Sequence, residues 1–424
     1  MTDVRYLTRV PVSALRTGLY VAELDRPWTD LPLMFQGFEI RTDDELAILR
    51  QYCNDVYVEE ARSRAEAYAE LEKANGDDAE PDDTGAPDIG ASLGTGRYPD
   101  SSRFAERVSA AAANRSDATG FFQRALDDIR LGRSVNSREA RVVVGDIATQ
   151  VSGNASATMW LTNLGSKDEQ LSTHAVNVCV LALAFGMHLG LDRDRLECIG
   201  LGALLHDVGK VNLPAELLSR AGPLNPEEWD AVRRHPTDGY EAARSAGDIG
   251  DEVLDIIRMH HERVDGTGYP AGLAGEAVPL HARIVGIANA YDSLTSDRPY
   301  RGARPADEVL QQFYNEAGGS FGAKLVQEFI RCVGIFPVGS LVELDNGALG
   351  VVVGSSPETR LRPAVLLVRT PRGEYYDKRL LLNLAAEAGA DDRAPARRIR
   401  RVVNPSQYDI DIPAIVAFEF GVVL

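Results

Sequence analysis

The sequence predicts a mainly helical protein, with an all-helical central domain set between a small α+β amino-terminal domain and a short β-rich carboxy-terminal appendage. Three observations carry that reading. Apolar residues recur at helical spacing from about residue 101 to 335, short alternating runs occupy residues 1–60, and turn-separated runs of branched residues follow Phe336-Pro337. The expected divisions are a domain at 1–75, a linker at 76–100, the helical domain at 101–336 and the appendage at 337–424. A chain of 424 residues is long enough for two or three domains with their own cores.

In the first domain Val10-Pro-Val and Gly18-Leu-Tyr-Val-Ala read as strands and the segment from Trp28 to Pro32 as a turn. Residues 43–74 read as helix interrupted by the strand-like Asp55-Val-Tyr-Val-Glu59. From Gly76 to about residue 97 the composition turns to Gly, Asp, Pro, Ser and Ala, which cannot bury enough apolar surface to offset the entropy of ordering, so a flexible linker is expected.

In the helical domain Asn225-Pro226-Glu-Glu228 combines an N-cap, a proline at the first helical position and an acid at the third. A helix should start there and stop near His235, because Pro236 disfavours helical geometry in the residue before it. Asp251 to Met259 is a second amphipathic run, and its carboxyl end, carrying partial negative charge, points a favourable field at any cation near His260-His261. After Pro337, Gly339-Ser-Leu-Val-Glu-Leu, Gly347-Ala-Leu-Gly-Val-Val-Val-Gly and Arg362-Pro-Ala-Val-Leu-Leu-Val predict three strands packed on the helical core. The run Arg397-Arg398-Ile-Arg400-Arg401 reads as a solvated turn or strand edge balancing nearby acids.

A net charge of −18 argues against a nucleic-acid polymer as partner. It leaves room for a small anionic nucleotide, which needs only local positive charge from metals and from Lys210, Arg298, Arg301 and Arg304. Cys53, Cys179, Cys198 and Cys332 are scattered without ligand spacing, as reduced cytosolic thiols would be. The start has no apolar leader, and the longest apolar stretch, residues 178–191, is about fourteen residues and contains His188, too short to span a bilayer. A soluble cytoplasmic protein is therefore expected.

Most histidines fall in one pattern: His206-Asp207-Val-Gly-Lys210, then His235-Pro236, then His260-His261-Glu262 running into Asp265-Gly-Thr-Gly268-Tyr269-Pro270. Imidazoles with an aspartate suit iron, manganese, zinc or nickel, whereas an all-carboxylate set would suit magnesium or calcium. A metallohydrolase centre is the chemistry these residue types predict.

His206-Asp207 with Lys210 resembles the HD signature of metal-dependent phosphohydrolases. The run HHERVDGTGYP, with DRPYR at 297–301, resembles the HD-GYP subgroup, bacterial phosphodiesterases of cyclic di-GMP. The opening segment is similar to the small domain that often precedes such modules. The resemblance implies His174, His206, Asp207, His235, His260, His261 and Asn289 as ligands to two divalent metals, iron or manganese first and zinc or nickel next. Asp207 would bridge them, the ions activating a water between them. Lys210 would act with it in catalysis by neutralising charge on phosphate oxygens. Lys210, Arg298, Arg301, Gly268 and Tyr269 would line the substrate, cyclic di-GMP, opened to pGpG and onward to GMP. The GYP loop would also be where partner proteins such as diguanylate cyclases dock, and a homodimer is one expected assembly.

Two positions depart from the family pattern. Asn289, in Ile287-Ala-Asn289-Ala-Tyr291-Asp292, stands where an aspartate ligand is usual and offers only a neutral oxygen, with Asp292 as a substitute three residues on. Gln170, four residues before His174 and on its helical face, stands where trinuclear members carry glutamate, so two metals are expected rather than three. The alternative to an active enzyme is a metal-poor module serving as a cyclic di-GMP receptor or protein scaffold; hydrolysis of another cyclic dinucleotide is a third reading. His188 and His281 are left out, the first as a packed boundary residue and the second as about 12 Å along its helix from Asn289. Trp28, Trp160 and Trp229 read as core or interface aromatics.

Overall fold

A computed structural model of the chain describes residues 7–25, 38–60, 63–74, 101–160, 170–214, 224–247, 249–296, 302–316, 319–354, 362–376, 379–387 and 397–420, with single positions 217, 220 and 222. It divides into two compact units, Met1–Thr95 and Gly96–Leu424. The turn expected at Trp28 and the linker expected at 76–100 lie outside the described residues.

The first unit is an antiparallel sheet with two helices: β1 (Leu7–Pro11), β2 (Tyr20–Leu24), β3 (Phe38–Glu39), α1 (Asp43–Tyr52), β4 (Asp55–Glu59) and α2 (Ala65–Ala74), the strands in the order β1-β4-β2-β3. Alternation in β4 turns Val56 and Val58 inward onto Val10, Leu19, Val21, Leu49 and Leu71. Helix α1 begins on a capping box, the Thr42 hydroxyl accepting from Glu45 N while the Glu45 carboxylate accepts from Thr42 N.

The second unit is built on helices α3 (Ser101–Arg130), α4 (Ser137–Trp160), α5 (Gln170–His188), α6 (Arg193–Leu205), α7 (Pro226–Arg233), α8 (His235–Ala246), α9 (Asp251–Met259), α10 (Leu280–Thr295), α11 (Ala306–Asn315) and α12 (Ala323–Val333). Helix α5 is its axis, packed by α3, α4, α6, α10 and α12. The apolar stretch expected to be too short for a membrane is part of this longer helix, because Gln170, Ser172, His174 and Asn177 continue it backwards. The window from Leu171 to His188 is long and apolar enough to cross a bilayer, but 78% of it is buried inside the protein. A helix apolar on all sides is here a core helix.

The capping box at Asn225 and Glu228 starts α7, and the helix stops at Arg233, near His235, both as expected. His235 then opens α8 at once, with Pro236 in the first turn, where the missing N–H has no partner to lose.

The carboxy-terminal part adds β5 (Leu341–Leu344), β6 (Leu349–Gly354), β7 (Ala364–Arg369), β8 (Leu381–Asn383), α13 (Leu384–Glu387), β9 (Ile399–Val403) and α14 (Ile412–Phe420). Its antiparallel sheet runs β8-β7-β6-β5-β9, and β6 packs against α4. The arginine run falls on edge strand β9, where Arg401 Nε reaches Glu343 at 2.7 Å, the strand-edge charge balance expected of it. Helix α14 was not foreseen.

Candidate metal centre

Three helices of the second unit end at one point, and each supplies a histidine there. Helix carboxyl ends leave main-chain carbonyls without partners. His206, His235 and His260 use them: their Nδ1 atoms donate to Ala203 O at 2.7 Å, Val232 O at 2.7 Å and Ile257 O at 2.9 Å, in the last turns of α6, α7 and α9. That bond fixes the tautomer, so Nε2 of each ring carries a lone pair. It is the second contact that metal-binding histidines usually make.

The Nε2 atoms converge on Asp207. His235 Nε2 lies 3.2 Å from His260 Nε2 and 3.2 Å from Asp207 Oδ1, with His260 Nε2 3.9 Å from that oxygen. On the other side His206 Nε2 and His174 Nε2 lie 3.4 and 3.7 Å from Asp207 Oδ2, and Asn289 Oδ1 is 2.9 Å from His174 Nε2. Asp207 thus belongs to two donor groups, one with His235, His260 and His261 and one with His174 and His206.

These residues fit divalent metals. Two ligands each about 2.1 Å from one ion stand roughly 3.0–3.4 Å apart, close to the spacings seen. His206 Nε2 and Asp207 Oδ1 are buried without a hydrogen-bond partner, a costly state that a cation relieves. Two lone pairs facing each other at His235 and His260 repel without a cation between them.

The charge state suits ligation. Burial pushes the imidazoles of His235, His260 and His261 below their ordinary range, with neighbouring positive groups adding to it, so they are neutral donors near pH 7. Burial would raise the Asp207 carboxyl, but His206 and Lys210 outweigh it and hold it well below the usual carboxylate range.

Helix α6 stops at Leu205, and His206 and Asp207 lie in the turn leading into a 3-10 segment, Val208–Asn212. The end of the helix lets two successive side chains turn toward one cluster of donors. Gly209 is forced by packing: a Cβ there would meet His235 O at 2.0 Å and Gly239 N at 2.5 Å, so only glycine lets this turn touch α8.

His206, Asp207, His235, His260, His174 and Asn289 are buried, while His261, Lys210 and Tyr269 are partly buried, which makes theirs the more open side. Lys210 Nζ donates to Asp207 Oδ2 at 2.6 Å. Tyr269 stacks on His261, centroids 4.5 Å apart, and Arg233 stands over Tyr269 and over Trp229. Trp229 is 48% exposed and is not a core aromatic. In the glycine-rich loop Gly266 has φ +80, and Gly268 is required by contact, a Cβ there meeting Arg263 N at 2.4 Å. Buried Glu262, to which the motif alone gave no role, holds the loop by accepting from Ala271 N at 2.6 Å and Leu273 N at 2.9 Å.

Asp292 is corrected from substitute ligand to support: its Oδ2 accepts from His174 Nδ1 at 2.6 Å, on the side of the ring away from Asp207. Arg298 and Arg301 lie outside the described residues, as does the side chain of Gln170. Arg304 is described and donates to Gln312 Oε1. His188 pairs with Glu328 at 3.0 Å, and neither it nor His281 enters the donor groups.

Comparison with known proteins gives an HD domain match over residues 161–325, which contains every donor described above. A domain of unknown function (DUF3391) matches residues 7–140, and a KOW domain associated with HD domain matches 341–390. The chain is 32% identical over 388 residues to a cyclic di-GMP phosphodiesterase of Pseudomonas aeruginosa, covering 91% of each. It is 40% identical over 144 residues to a cyclic di-GMP phosphodiesterase response regulator of Xanthomonas campestris pv. campestris, 34% of this chain and 38% of that one. It is 35% identical over 179 residues to a 3'3'-cGAMP-specific phosphodiesterase of Vibrio cholerae, 42% of this chain and 41% of that one. Identity across nearly the whole of both chains in the first case, with the HD match laid over the histidine centre, shows that the chain belongs to the HD-GYP family of HD-domain phosphodiesterases.

Proposed function

We propose that this centre binds two divalent metals and hydrolyses cyclic di-GMP, water adding to phosphorus as a ribose oxygen leaves, to give pGpG and then GMP. The observation that carries this is Asp207, whose two oxygens face two separate donor groups. Bound ions supply Lewis acidity to the phosphate and lower the pKa of water. His174, His206 and Asn289 would hold one, and His235, His260 and His261 the other, with Asp207 shared. Lys210 stands on the open side, where its ammonium meets charge developing on phosphate oxygens. Gly268 and Tyr269 form the rim, and Arg298 and Arg301 are proposed as phosphate or guanine contacts on the family resemblance alone.

The mixed imidazole and carboxylate set supports iron or manganese ahead of zinc or nickel. Cyclic di-GMP is preferred over cGAMP because the relative matched over 91% of its length is named for it. We assign residues 1–75 a regulatory role and the protein a cytoplasmic site of action. The half-exposed GYP loop is the proposed docking face for diguanylate cyclases, and a homodimer the proposed assembly.

The test is metal analysis of protein purified without oxygen or chelator, coupled to turnover of cyclic di-GMP and cGAMP. About two metals per chain with faster cyclic di-GMP turnover is the expected result. Tight cyclic di-GMP binding without turnover after iron or manganese loading would replace the enzyme with a receptor, and faster cGAMP turnover would replace the substrate.

A further inference from the structure

His174 is held differently from the other ligand histidines. It lies inside α5, where main-chain carbonyls are engaged in the helix, so no carbonyl is free to take its Nδ1–H. A carboxylate takes it instead: Nδ1 donates to Asp292 Oδ2 at 2.6 Å. Asp292 Oδ1 in turn accepts from Asn177 Nδ2 at 2.8 Å and from Ser296 Oγ at 3.2 Å. Asn177, one turn after His174 on α5, accepts through Oδ1 from Arg115 Nη1 at 3.0 Å. His174, Asn177 and Asp292 are at most 3% exposed.

We infer that Arg115, Asn177 and Asp292 form a positioning relay for His174, through which helix α3 sets the affinity of the metal position served by Asn289. The inference rests on the two-metal reading of the centre. Its physical basis is charge. The position beside His174 has a neutral amide, Asn289, where a carboxylate would attract a cation directly. Asp292 returns that negative charge one step removed, since an imidazole donating to a carboxylate is a more basic and better-oriented ligand than one donating to a carbonyl. A carboxylate this buried needs a counter-charge, and Arg115 supplies it through Asn177.

Arg115 is contributed from outside the HD match. It lies on α3, within the stretch matched by the amino-terminal domain of unknown function at 7–140, whereas His174, Asn177 and Asp292 fall within the HD match. A residue belonging to the preceding domain family thus reaches the back of a ligand.

Manganese binding to the full-length metal-free protein, followed by metal analysis and by the resonance of free Mn(II), tests this without substrate. Arg115→Met should keep the first manganese and weaken the second at least tenfold. Arg115→Lys should recover part of that loss, and Asn289→Asp placed on Arg115→Met should recover most of it by restoring charge at the ion. Asn177→Ala, a small change within a helix, should weaken the second manganese as well and decides the matter if Arg115→Met fails to fold. Second-ion affinity within twofold of wild type in the folded variants overturns the relay, as does wild-type protein that binds only one ion. Two ions bound without turnover of any cyclic dinucleotide would sink the proposed substrate and leave the relay standing on its own measurement.

Discussion

At the residue scale the centre is organised by which ring nitrogen is already engaged. His206, His235 and His260 give Nδ1 to helix-end carbonyls, so their free nitrogens have one direction to point. Asp207→Ala should therefore remove both metals and all turnover while the protein stays folded, and unchanged metal content in that variant would sink the ligand assignment. Lys210→Ala should lower kcat by on the order of a hundredfold with metal content kept, the size expected for one lost donor to developing charge. Unchanged turnover would leave Lys210 as a counter-ion of Asp207 only.

Away from the centre, Asp307 Oδ1 is buried without a hydrogen-bond partner, and burial pushes the carboxyl up from 3.8 to about 6. A raised pKa means that its contribution to stability is fully present below the ordinary value and is lost as pH rises through about 6. Asp307→Asn should match wild type near pH 4 and exceed it above pH 6 by on the order of 2–3 kcal/mol, read from thermal melts across that range. Parallel melts at all pH values would show that the carboxyl is solvated.

At the element scale, α1, α7 and α9 were legible because caps and amphipathic runs are local signals, and the alternation of β4 likewise. The break near His235 was legible from Pro236, but that a second helix opens at His235 without a connecting loop depends on the packing of α8. Gly209 shows the same limit. In sequence it is one residue of the HD signature; in space it is the only residue type that lets the metal-bearing turn touch the first turn of α8. Gly209→Ala should cost several kcal/mol and displace His235, so metal affinity and melting temperature should fall together, by overpacking against backbone that cannot yield. A normal melt and full metal content would show that α8 shifts freely.

At the scale of the whole molecule, the two compact units predict separable thermal behaviour. Metal binding stabilises only the unit that holds it, by about 4 kcal/mol when the free ion exceeds Kd a thousandfold. Chelation should lower one calorimetric transition and leave that of the four-stranded unit in place; a uniform shift of both would show that the units unfold together. The sequence by itself determined the helical class, the flanking sheets, the histidine and aspartate donors and the family, since periodicity, capping and motif spacing are written along the chain. Tertiary structure alone decided what stands behind those donors: that helix ends fix three tautomers, that Asp292 accepts from His174 Nδ1, and that Arg115 reaches Asn177 from α3. Such contacts join residues as much as 118 positions apart, as at His174 and Asp292, and no local pattern carries them because their partners are chosen by the packing of helices.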